Sequence, residues 1–439
     1  MEEILNKIKD KKIVVGVIGM GYVGLPLALE YTLQGIRTIG FDLDNNKINM
    51  LNRGENYNQD IDSAAVKKVS DEKLLEATSD FSRLSECNAL FICVPTPFTA
   101  NKDPDISFIV DVSRRIRENL KPGQIIILKS TTFPGTTEKY VKPILEESGL
   151  IAGKDFFLAF SPERIDPGNK KWNTRNTPIV VGGINEESTK VACAITHLAI
   201  EHVIPVNSPS VAEMEKLLEN IFRSVNIALV NELAQLCDRI GVNIWEVVEA
   251  ASTKPFGFMP FYPGPGIGGH CILIDPYYLA WMAREYDFET KFITLAAETN
   301  EDMPFYVRSM IVKEIAKQTV TLDSAKILLL GMAFKKDVDD LRHSPALKVA
   351  ELLFEYGMKN VAYYDPYIPS IKISDNGMIS ETDLNPGMIK KYDVVVVTTD
   401  HSAFDYEMIA DNAKVIIDTR NAFKNFKERG NIVLLGDGK

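Results

Sequence analysis

The sequence has little of what marks secreted, metal-binding or membrane-spanning proteins. Only five of its 439 residues are cysteines and five are histidines, and no CxxC pair or cysteine–histidine cluster occurs. We therefore expect no disulfide framework, no metal site and a reducing, cytoplasmic location. The first twelve residues are charged and lack the apolar core of a signal peptide, and no apolar run is long enough to cross a bilayer.

The chain also lacks an excess of positive charge. Sixty acidic and 49 basic residues give a net charge of −11, so we expect neither a nucleic acid nor a membrane surface as a partner. An anionic small molecule is still compatible, because helix N-termini and a few cations can hold one. The length predicts two or three domains, and the contents of 45% hydrophobic and 25% charged residues are those of a soluble globular protein.

A glycine-rich turn near the N-terminus has the context of a dinucleotide site. Residues 12–18 form an apolar, β-branched run, and Gly-Met-Gly-Tyr-Val-Gly follows from Gly19 to Gly24. A helical pattern comes next, and the following apolar run ends on Asp42, 23 positions after Gly19 and close to the roughly 20 of a dinucleotide fold. Such glycines admit a pyrophosphate close to the backbone. The acid favours NAD over NADP, because it accepts from ribose hydroxyls and repels a 2′-phosphate.

Further strand–helix units carry polar residues directly after their strands. Thr96, Thr131 with Thr132, and Glu163 each follow an apolar run in the first 165 residues. In an open α/β sheet, ligands bind beyond the carboxyl ends of the strands. Each residue alone is more often a cap or turn residue. Together they predict one crevice beside the dinucleotide.

The last third of the chain repeats the first in outline. An apolar run at 326–331 is followed by a polar turn, a helical pattern and a second strand that ends on Asp365, without the glycine fingerprint. This predicts a second doubly wound domain. Lys335, Arg342 and Arg420 lie at its predicted rim, where they suit a second nucleotide or a phosphate.

A helical pattern in the middle of the chain runs from about Ser208 to Gly241. Its roughly 30 residues exceed the usual length in globular domains, so we expect it to bridge two domains and to offer a dimer surface. Lys216 and Asn220 are spaced i, i+4 and share one face of this helix.

The stretch at 264–276 holds four glycines in its first six positions and then Cys271. Glycines allow a close approach to a ligand, so the thiol is a candidate nucleophile; the alternative is a tight loop with an ordinary buried cysteine. A Cys–His pair with His270 is disfavoured, because sequence neighbours seldom face each other in a loop. The aromatic, proline-rich run at 254–263 is either a pocket wall or an irregular core segment.

An NAD domain together with a nucleophilic cysteine suggests oxidation to the acid level. The thiolate adds to an aldehyde, hydride loss gives a thioester, and water cleaves it. This chemistry needs a cation or amide for the oxyanion, for which Lys216 and Asn220 are candidates. It also needs a base for water, for which Asp275 and Glu163 are candidates.

The motifs resemble those of the nucleotide-sugar 6-dehydrogenases that act on UDP-glucose, UDP-N-acetylmannosamine and UDP-N-acetylglucosamine. The resemblance covers essentially the whole chain, including VPTP at 94–97, SPER at 161–164, EMEKLLEN at 213–220, GGHC at 268–271 and GMAFKKD at 331–337. It implies two Rossmann-like, doubly wound parallel-sheet domains joined by a long central helix. The implied division is an NAD-binding domain at 1–207, a central region at 208–317 and a UDP-sugar-binding domain at 318–439.

The resemblance also implies a four-electron, two-NAD oxidation of a sugar CH2OH group, a homodimer built on the long helix, and roles for individual residues. The implied catalytic residues are Cys271, Lys216, Asn220, Asp275, Glu163 and Thr131. Those expected to bind NAD are Gly19, Gly21, Tyr22, Val23, Gly24, Asp42, Lys47, Thr96, Thr131 and Arg342. Those expected to bind the UDP-sugar are Glu163, Arg164, Lys216, Asn220, Arg223, Phe261, Tyr262, Gly264, Gly268, Phe334, Lys335 and Arg420.

Three positions depart from the glucose-type enzymes. Ile274 replaces a lysine, Pro167 replaces a second glutamate, and only Lys254 lies near the place of an arginine that reaches the partner's sugar. The chain is more similar to the branch that acts on UDP-N-acetylhexosamines, and we expect UDP-N-acetyl-D-glucosamine as the substrate. The glucose, mannosamine and galactosamine sugars stay open, as do a two-electron hydroxyacid dehydrogenase and an inactive nucleotide-sugar sensor.

Overall fold

The computed structural model describes residues 1–58, 61–99, 102–166, 169, 171–269, 271–373, 376–426 and 430–439, without the side chains of Cys271, Leu273, Ile274 and Asn376. The chain divides into two compact units. The first comprises Met1–Glu219 and Tyr277–Asp287, and the second comprises Asn220–Pro276 and Phe288–Lys439. The three-domain division with boundaries after residues 207 and 317 stays a prediction.

The first unit is built on an eight-stranded sheet with the order β3-β2-β1-β4-β5-β6-β7-β8. Its central strands are apolar and buried on both faces, as expected where helices cover a parallel sheet, whereas the edge strands β3 and β8 carry exposed residues. Their bounds are β1 Val14–Ile18, β2 Arg37–Phe41, β3 Leu75–Thr78, β4 Ala89–Ile92, β5 Ile125–Leu128, β6 Phe157–Phe160, β7 Ile179–Gly183 and β8 Val203–Val206.

One junction in this sheet departs from the predicted parallel arrangement. The strands β6 and β7 pair antiparallel, with Ala159 opposite Gly183, whereas the other neighbouring pairs are parallel. The physical reason is the connection at 161–178, which forms no helix in its described residues. Antiparallel neighbours need no helical crossover between them, so a connection without a helix suffices here.

Helices cover both faces of the first sheet, and two apolar clusters form the cores beneath them. The segment Thr137–Val141 is a single π-helical turn that continues into α6, and Phe81–Glu86 is a 3₁₀ turn. The helices are α1 Glu2–Lys9, α2 Gly24–Leu33, α3 Asn45–Asn52, α4 Ser63–Asp71, α5 Ser107–Asn119, α6 Lys142–Glu146 and α7 Glu186–Ala199.

The predicted long helix is confirmed as α8, Pro209–Ile240, which has 32 residues. It is followed by α9 Ile244–Ser252, α10 Cys271–Ala283, a 3₁₀ turn at Arg284–Tyr286 and α11 Lys291–Ala316. The chain passes from the first unit to the second within α8 and returns to the first within α10.

The start of α10 differs from the predicted loop at 264–276. The loop ends earlier, and Cys271 is the first residue of the helix. The last glycine of the run is Gly269, and the residues after Cys271 are isoleucine and leucine, which tolerate helical geometry far better than glycine. Cys271 and Asp275 are therefore four residues apart in one helix, and Pro276 lies inside it.

The second unit contains a five-stranded parallel sheet with the order β10-β9-β13-β14-β15. Its strands are β9 Lys326–Leu330, β10 Asn360–Tyr364, β13 Val394–Val397, β14 Ile416–Asp418 and β15 Ile432–Leu434; β11 Ser370–Ile373 and β12 Asn376–Ile379 form a separate hairpin. The helices α12 Pro345–Glu355, α13 Pro386–Ile389 and α14 Tyr406–Asn412 complete the domain. The predicted α/β class, with two Rossmann-like sheets, is confirmed. Within the described ranges, no helix combines the length and apolarity that crossing a membrane requires.

Candidate functional site

The glycine turn of the first unit has the shape that a dinucleotide needs. Gly19 has φ +92°, and a Cβ there would lie 2.7 Å from the Cys93 carbonyl oxygen. A Cβ on Gly24 would lie 1.9 Å from the Gly19 carbonyl oxygen, so the turn itself requires both glycines. No atom lies within 4 Å of a Cβ on Gly21, which leaves this backbone open to a ligand at the start of α2.

Asp42 lies at the end of β2, where the sequence placed it. Its Oδ2 accepts from the Met20 amide at 2.8 Å and its Oδ1 accepts from the Asp44 amide at 2.9 Å. The carboxylate is only half-buried, so it keeps accepting capacity for ribose hydroxyls. Nearby, the Tyr57 hydroxyl donates to the Met20 carbonyl at 2.5 Å, and the Lys47 ammonium lies 5.9 Å from the Tyr57 ring centre. These residues fit NAD.

The corresponding acid of the second unit is already saturated. Asp365 follows β10, and its Oδ2 accepts from the amides of Met332 and Ala333 at 2.6 and 3.1 Å. Its Oδ1 accepts from the amides of Tyr367 and Ile368, and Asp365 is 4% exposed. The second unit therefore keeps an aspartate at the position that corresponds to Asp42, but this aspartate stabilises the turn after β9. Its carboxylate is not left to accept from an adenosine ribose.

Two of the predicted strand-end residues lie together in the first unit. The Thr96 hydroxyl donates to the Thr131 carbonyl at 2.7 Å, which ties the segments after β4 and β5 to each other. The Tyr278 hydroxyl, from the part of α10 in this unit, donates to the Thr96 carbonyl.

Glu163 follows β6 and is held by its own loop. Its Oε1 accepts from the amides of Arg164 and Ile165 at 2.8 and 2.9 Å. Its Oε2 faces the ammonium of Lys129 at 3.6 Å, and Lys129 is only 1% exposed. The Lys129 ammonium therefore lies beside the Glu163 carboxylate inside the first unit.

Arg164, predicted to bind substrate, is engaged by carboxylates of α8. Its guanidinium forms ion pairs with Glu215 and, at 2.9 Å, with Glu219, and it donates to the Pro178 carbonyl at 2.8 Å. These contacts fix the loop after Glu163 to α8 within the first unit. A substrate role for Arg164 stays a prediction.

Glu213 on α8 is a residue whose importance sequence reasoning missed. It is fully buried and accepts from the amides of Gly135 and Thr137 at 2.6 and 2.9 Å, and from the Thr137 hydroxyl at 2.7 Å. It thereby anchors the segment that follows Thr131. Burial raises the pKa of Glu213 to about 7, although the three donors act in the opposite direction.

We expect Glu213→Gln to remove a pH dependence of stability. Because burial raises the folded-state pKa of Glu213 to about 7 from 4.5, its contribution is fully present below about pH 4.5 and is lost as the pH rises through 7. The loss amounts to about 3 kcal/mol. Melting temperatures between about pH 5 and 8 should therefore fall more steeply for the wild type than for the variant. Parallel curves would contradict the assignment.

In the second unit, Asn220 and Asp275 form a buried pair. The Asn220 Nδ2 donates to the Asp275 Oδ2 at 2.5 Å, and the two residues are 5% and 2% exposed. One turn before Asn220 on α8, Lys216 is also buried, at 8% exposed, whereas Arg223 is exposed. Lys216 and Asn220 therefore do not lie on a solvated helix face, which was the alternative to a functional role.

The glycine loop at 264–269 packs closely against residues that follow β9 and β14 in the same unit. A Cβ on Gly268 would lie 2.6 Å from the Phe334 Cβ, and a Cβ on Gly269 would lie 2.9 Å from the Phe334 ring. The Gly269 amide donates to the Arg342 carbonyl at 2.9 Å. A Cβ on Gly264 would lie 2.9 Å from the Arg420 guanidinium. The predicted substrate residues Gly264, Gly268, Phe334 and Arg420 therefore cluster at this loop.

Other predicted residues of the second unit lie in different surroundings. The Arg342 side chain pairs with Asp340 at 2.6 Å, and this gives no support for its predicted role at the cofactor. Tyr262 stacks on Trp245 with ring centres 5.7 Å apart, and Phe261 meets Phe222 edge to face. Phe256, earlier in the same run, is 71% exposed, so this run is not a uniform core segment.

The candidate nucleophile itself is described only by its backbone. Cys271 begins α10, four residues before Asp275. The Cys271 side chain, His270, and Pro167 of the glutamate loop lie outside the described residues. The nucleophile stays a prediction.

Known protein families match all three parts of the chain. Models of the UDP-glucose/GDP-mannose dehydrogenase family match the NAD binding domain at residues 13–198, the central domain at 210–302 and the UDP binding domain at 328–425. A UDP-N-acetyl-D-glucosamine 6-dehydrogenase of Pseudomonas aeruginosa is 37% identical over 90% of this chain and 92% of its own length. A UDP-N-acetyl-D-mannosamine dehydrogenase of Pyrococcus horikoshii is 34% identical over 93% and 96%.

Solved structures show the same architecture. The UDP-D-ManNAc dehydrogenase from Pyrococcus horikoshii superimposes with a TM-score of 0.88 at 33% identity, covering 97% of this chain and 100% of that one. An NDP-N-acetyl-D-galactosaminuronic acid dehydrogenase from Methanosarcina mazei gives a TM-score of 0.79 at 33% identity, covering 99% and 98%.

The glycine cradle, its aspartate and the second Rossmann-like domain define an NAD-dependent dehydrogenase that takes a nucleotide-linked substrate. The chain belongs to the UDP-glucose/GDP-mannose dehydrogenase family, as its motifs indicated. Its cofactor is NAD and its substrate is a UDP-sugar, and both predictions are confirmed.

Proposed function

We propose that the protein oxidises the C6 hydroxymethyl group of UDP-N-acetyl-D-glucosamine to a carboxylate, consuming two NAD and one water. The observation that carries the proposal is the buried pair that Asn220 of α8 forms with Asp275, which lies four residues after Cys271 in α10. Oxidation to the acid level needs a nucleophile, an amide or cation for the oxyanion, and a base for water. The pair supplies the amide of Asn220 and the carboxylate of Asp275 for the helix that begins at Cys271.

The first step forms the aldehyde. Bound NAD supplies hydride acceptance in both oxidations. The Gly19–Gly24 turn would hold it, and Asp42 would accept from its ribose hydroxyls. The C6 hydroxyl must lose its proton as a hydride leaves the C6 carbon. We assign the acceptance of this proton to Glu163, whose carboxylate faces Lys129.

The second step makes the thioester. The Cys271 thiolate adds to the aldehyde carbon and gives a thiohemiacetal, whose oxygen carries negative charge until a second hydride leaves. We assign the stabilisation of that oxygen to the Lys216 ammonium and the Asn220 amide, both of which are buried. Donors that are already in place and desolvated stabilise such charge strongly.

Water then releases the acid. We assign the positioning and deprotonation of the water to Asp275 together with Thr131. The Asn220 amide donates to the Asp275 Oδ2 at 2.5 Å and so fixes the carboxylate. Hydrolysis returns the Cys271 thiol and yields the uronate.

The choice of sugar rests on the relatives. The Pseudomonas aeruginosa protein acts on UDP-N-acetyl-D-glucosamine and the Pyrococcus horikoshii protein on UDP-N-acetyl-D-mannosamine. Both of these sugars carry an acetamido group at C2, so we propose a UDP-N-acetylhexosamine as the substrate and, within that class, the gluco sugar. The manno sugar is the second candidate, because its relative is nearly as similar.

The test is to incubate the purified protein with NAD and a panel of UDP-sugars and to count NADH per sugar consumed. We expect two NADH per uronate, with the highest kcat/KM for UDP-N-acetyl-D-glucosamine. One NADH per sugar would indicate a two-electron dehydrogenase, and no turnover on any UDP-sugar would refute the proposal. Preference for the mannosamine sugar would correct the substrate only.

We also infer that the protein is a homodimer built on α8. This helix buries one apolar side in the fold but exposes another over most of its length, at Val211, Met214, Leu218, Phe222, Leu229, Leu236 and Ile240. A continuous exposed apolar stripe of this length marks an association surface. The same stripe on a second copy is complementary by symmetry.

We expect Leu229→Glu to convert the dimer to monomers. Leu229 is 54% exposed near the middle of the stripe, and a dimer would bury its introduced charge without a partner. Sedimentation velocity measures the change. Leu33→Glu is the matched control, because Leu33 on α2 is 44% exposed and lies outside the stripe. A dimeric Leu229→Glu protein, or a monomeric wild type, would contradict the inference.

A further inference from the structure

Two buried asparagines of the second unit connect α8 to the loop that precedes Cys271. The Asn231 Oδ1 accepts from the Gly264 amide at 3.0 Å, and its Nδ2 donates to the Asn300 Oδ1 at 2.9 Å. The Asn300 Nδ2 then donates to the Ser224 carbonyl at 3.1 Å. Asn231 and Asn300 are 0% and 2% exposed, so water does not compete for these bonds.

We call this chain of hydrogen bonds, from the Gly264 amide through Asn231 and Asn300 to the Ser224 carbonyl, the relay. Only one orientation of its two side-chain amides satisfies all the hydrogen bonds. The Gly264 amide can only donate and the Ser224 carbonyl can only accept, so the two ends fix which way both side-chain amides point. Turning over either amide would set two acceptors or two donors against each other inside the protein. Buried polar groups that face like partners are costly, and the relay therefore has a single orientation.

The relay holds the first end of the glycine loop, and the segment between β9 and α12 holds the other end. Gly266 has φ +131°, and a Cβ there would lie 3.3 Å from the Asn300 backbone oxygen, so the loop also passes close to α11. At its far end, the Gly269 amide donates to the Arg342 carbonyl at 2.9 Å. The backbone of α10 begins two residues later, at Cys271.

We propose that Asn231 and Asn300 are positioning residues for the oxidation, which fix the glycine loop so that α10 begins where Cys271 can react. The inference rests on the proposed function, since it gives the loop a catalytic purpose. Neither residue contacts the reacting atoms in the proposed mechanism. They act through the Gly264 backbone.

Isosteric variants test the polarity of the relay without changing its volume. In Asn231→Asp and Asn300→Asp, a protonated carboxyl restores the missing donor and reproduces the native pattern. An ionised carboxylate instead sets two acceptors against each other, at Asn300 Oδ1 or at the Ser224 carbonyl respectively. Arg420, beside Gly264, favours the ionised form of an aspartate at 231, whereas burial favours its neutral form.

We expect kcat at saturating substrates to be within about twofold of the wild type near pH 6 and at least about tenfold lower near pH 8.5 for both variants. KM for NAD should be unchanged, because the cradle lies in the first unit. Asn243→Asp is the matched control: Asn243 caps α9 by accepting from two amides, which an aspartate does equally well. Its ratio to the wild type should not vary with pH.

Amide hydrogen exchange gives a readout independent of turnover. The Gly264 amide should exchange slowly in the wild type and at least about tenfold faster in both aspartate variants near pH 8.5. A wild type that oxidises no UDP-sugar but shows this difference would refute the proposed function and leave the relay in place. Unchanged kcat and exchange in the variants would overturn the inference. So would a loss of kcat accompanied by an equal loss of NAD binding, since that indicates general misfolding.

Discussion

Replacing Cys271 with serine is expected to reduce uronate formation by about three orders of magnitude or more. A serine hydroxyl is a far weaker nucleophile than a thiolate, and a serine ester would not reproduce the reactivity of the thioester. The first oxidation does not need the thiol, so slow hydride transfer to give about one NADH per sugar should persist. Rapid-quench measurement of NADH and uronate separates the two halves of the reaction.

Cys193→Ser is the control for this variant. Cys193 lies half-buried on α7, where burial raises the pKa of its thiol, and it has no part in the proposed chemistry. Its activity should match the wild type. Uronate formation at the wild-type rate by Cys271→Ser would remove the thioester from the mechanism, whereas loss of NADH formation in both halves would point to a thiol needed earlier.

The parts of the molecule that the sequence predicted well depend on local backbone demands. Gly19 is required by its own φ of +92°, and Gly24 by the Gly19 carbonyl of the same strand–turn–helix. Asp42 follows because a strand of five residues ends there. The length of α8 follows from an uninterrupted helical pattern between Pro209 and Gly241.

The parts that it missed depend on partners far away in the sequence. In the sequence, Glu213 does not differ from the other acidic residues of α8. Its role follows only from the hydrogen bond that the Gly135 amide, 78 positions away, donates to it. Asn231 bonds to Gly264 and Asn300, which are 33 and 69 positions away. A local signal did exist, since Asn220, Ser224 and Asn231 have the i, i+4, i+11 spacing of one helix face. Polar residues on a buried face need partners, and the pattern does not say which.

The start of α10 shows how such an error changes the chemistry. As a loop, residues 264–276 would leave Cys271 and Asp275 free of any fixed relation. As the first turn of a helix, they are four residues apart on one side of it, and Asp275 is held by the Asn220 amide. The same helix turn thus carries the predicted nucleophile and the predicted base, which makes Asp275 the sharpest test of the hydrolytic step.

Asp275→Asn is expected to stop the reaction after the thioester has formed. The asparagine has the same shape and still offers an oxygen to the Asn220 amide, but it cannot take a proton from water. Loss of a general base lowers a rate by about a hundredfold or more. We expect a burst of two NADH per active site, slow steady-state turnover, and a covalent uronyl adduct on the peptide that contains Cys271, measured by intact-protein and peptide mass spectrometry.

The two variants therefore have opposite signatures, and this is what makes the pair decisive. Cys271→Ser should give no adduct and about one NADH, whereas Asp275→Asn should give the adduct and two NADH. Asp302→Asn, an exposed change on α11, controls for the lost charge and should behave as the wild type. If Asp275→Asn shows no burst and no adduct, Asp275 acts before the thioester forms. The carboxylate would then serve the oxidation itself, through its hold on the Asn220 amide, and the water would need another base.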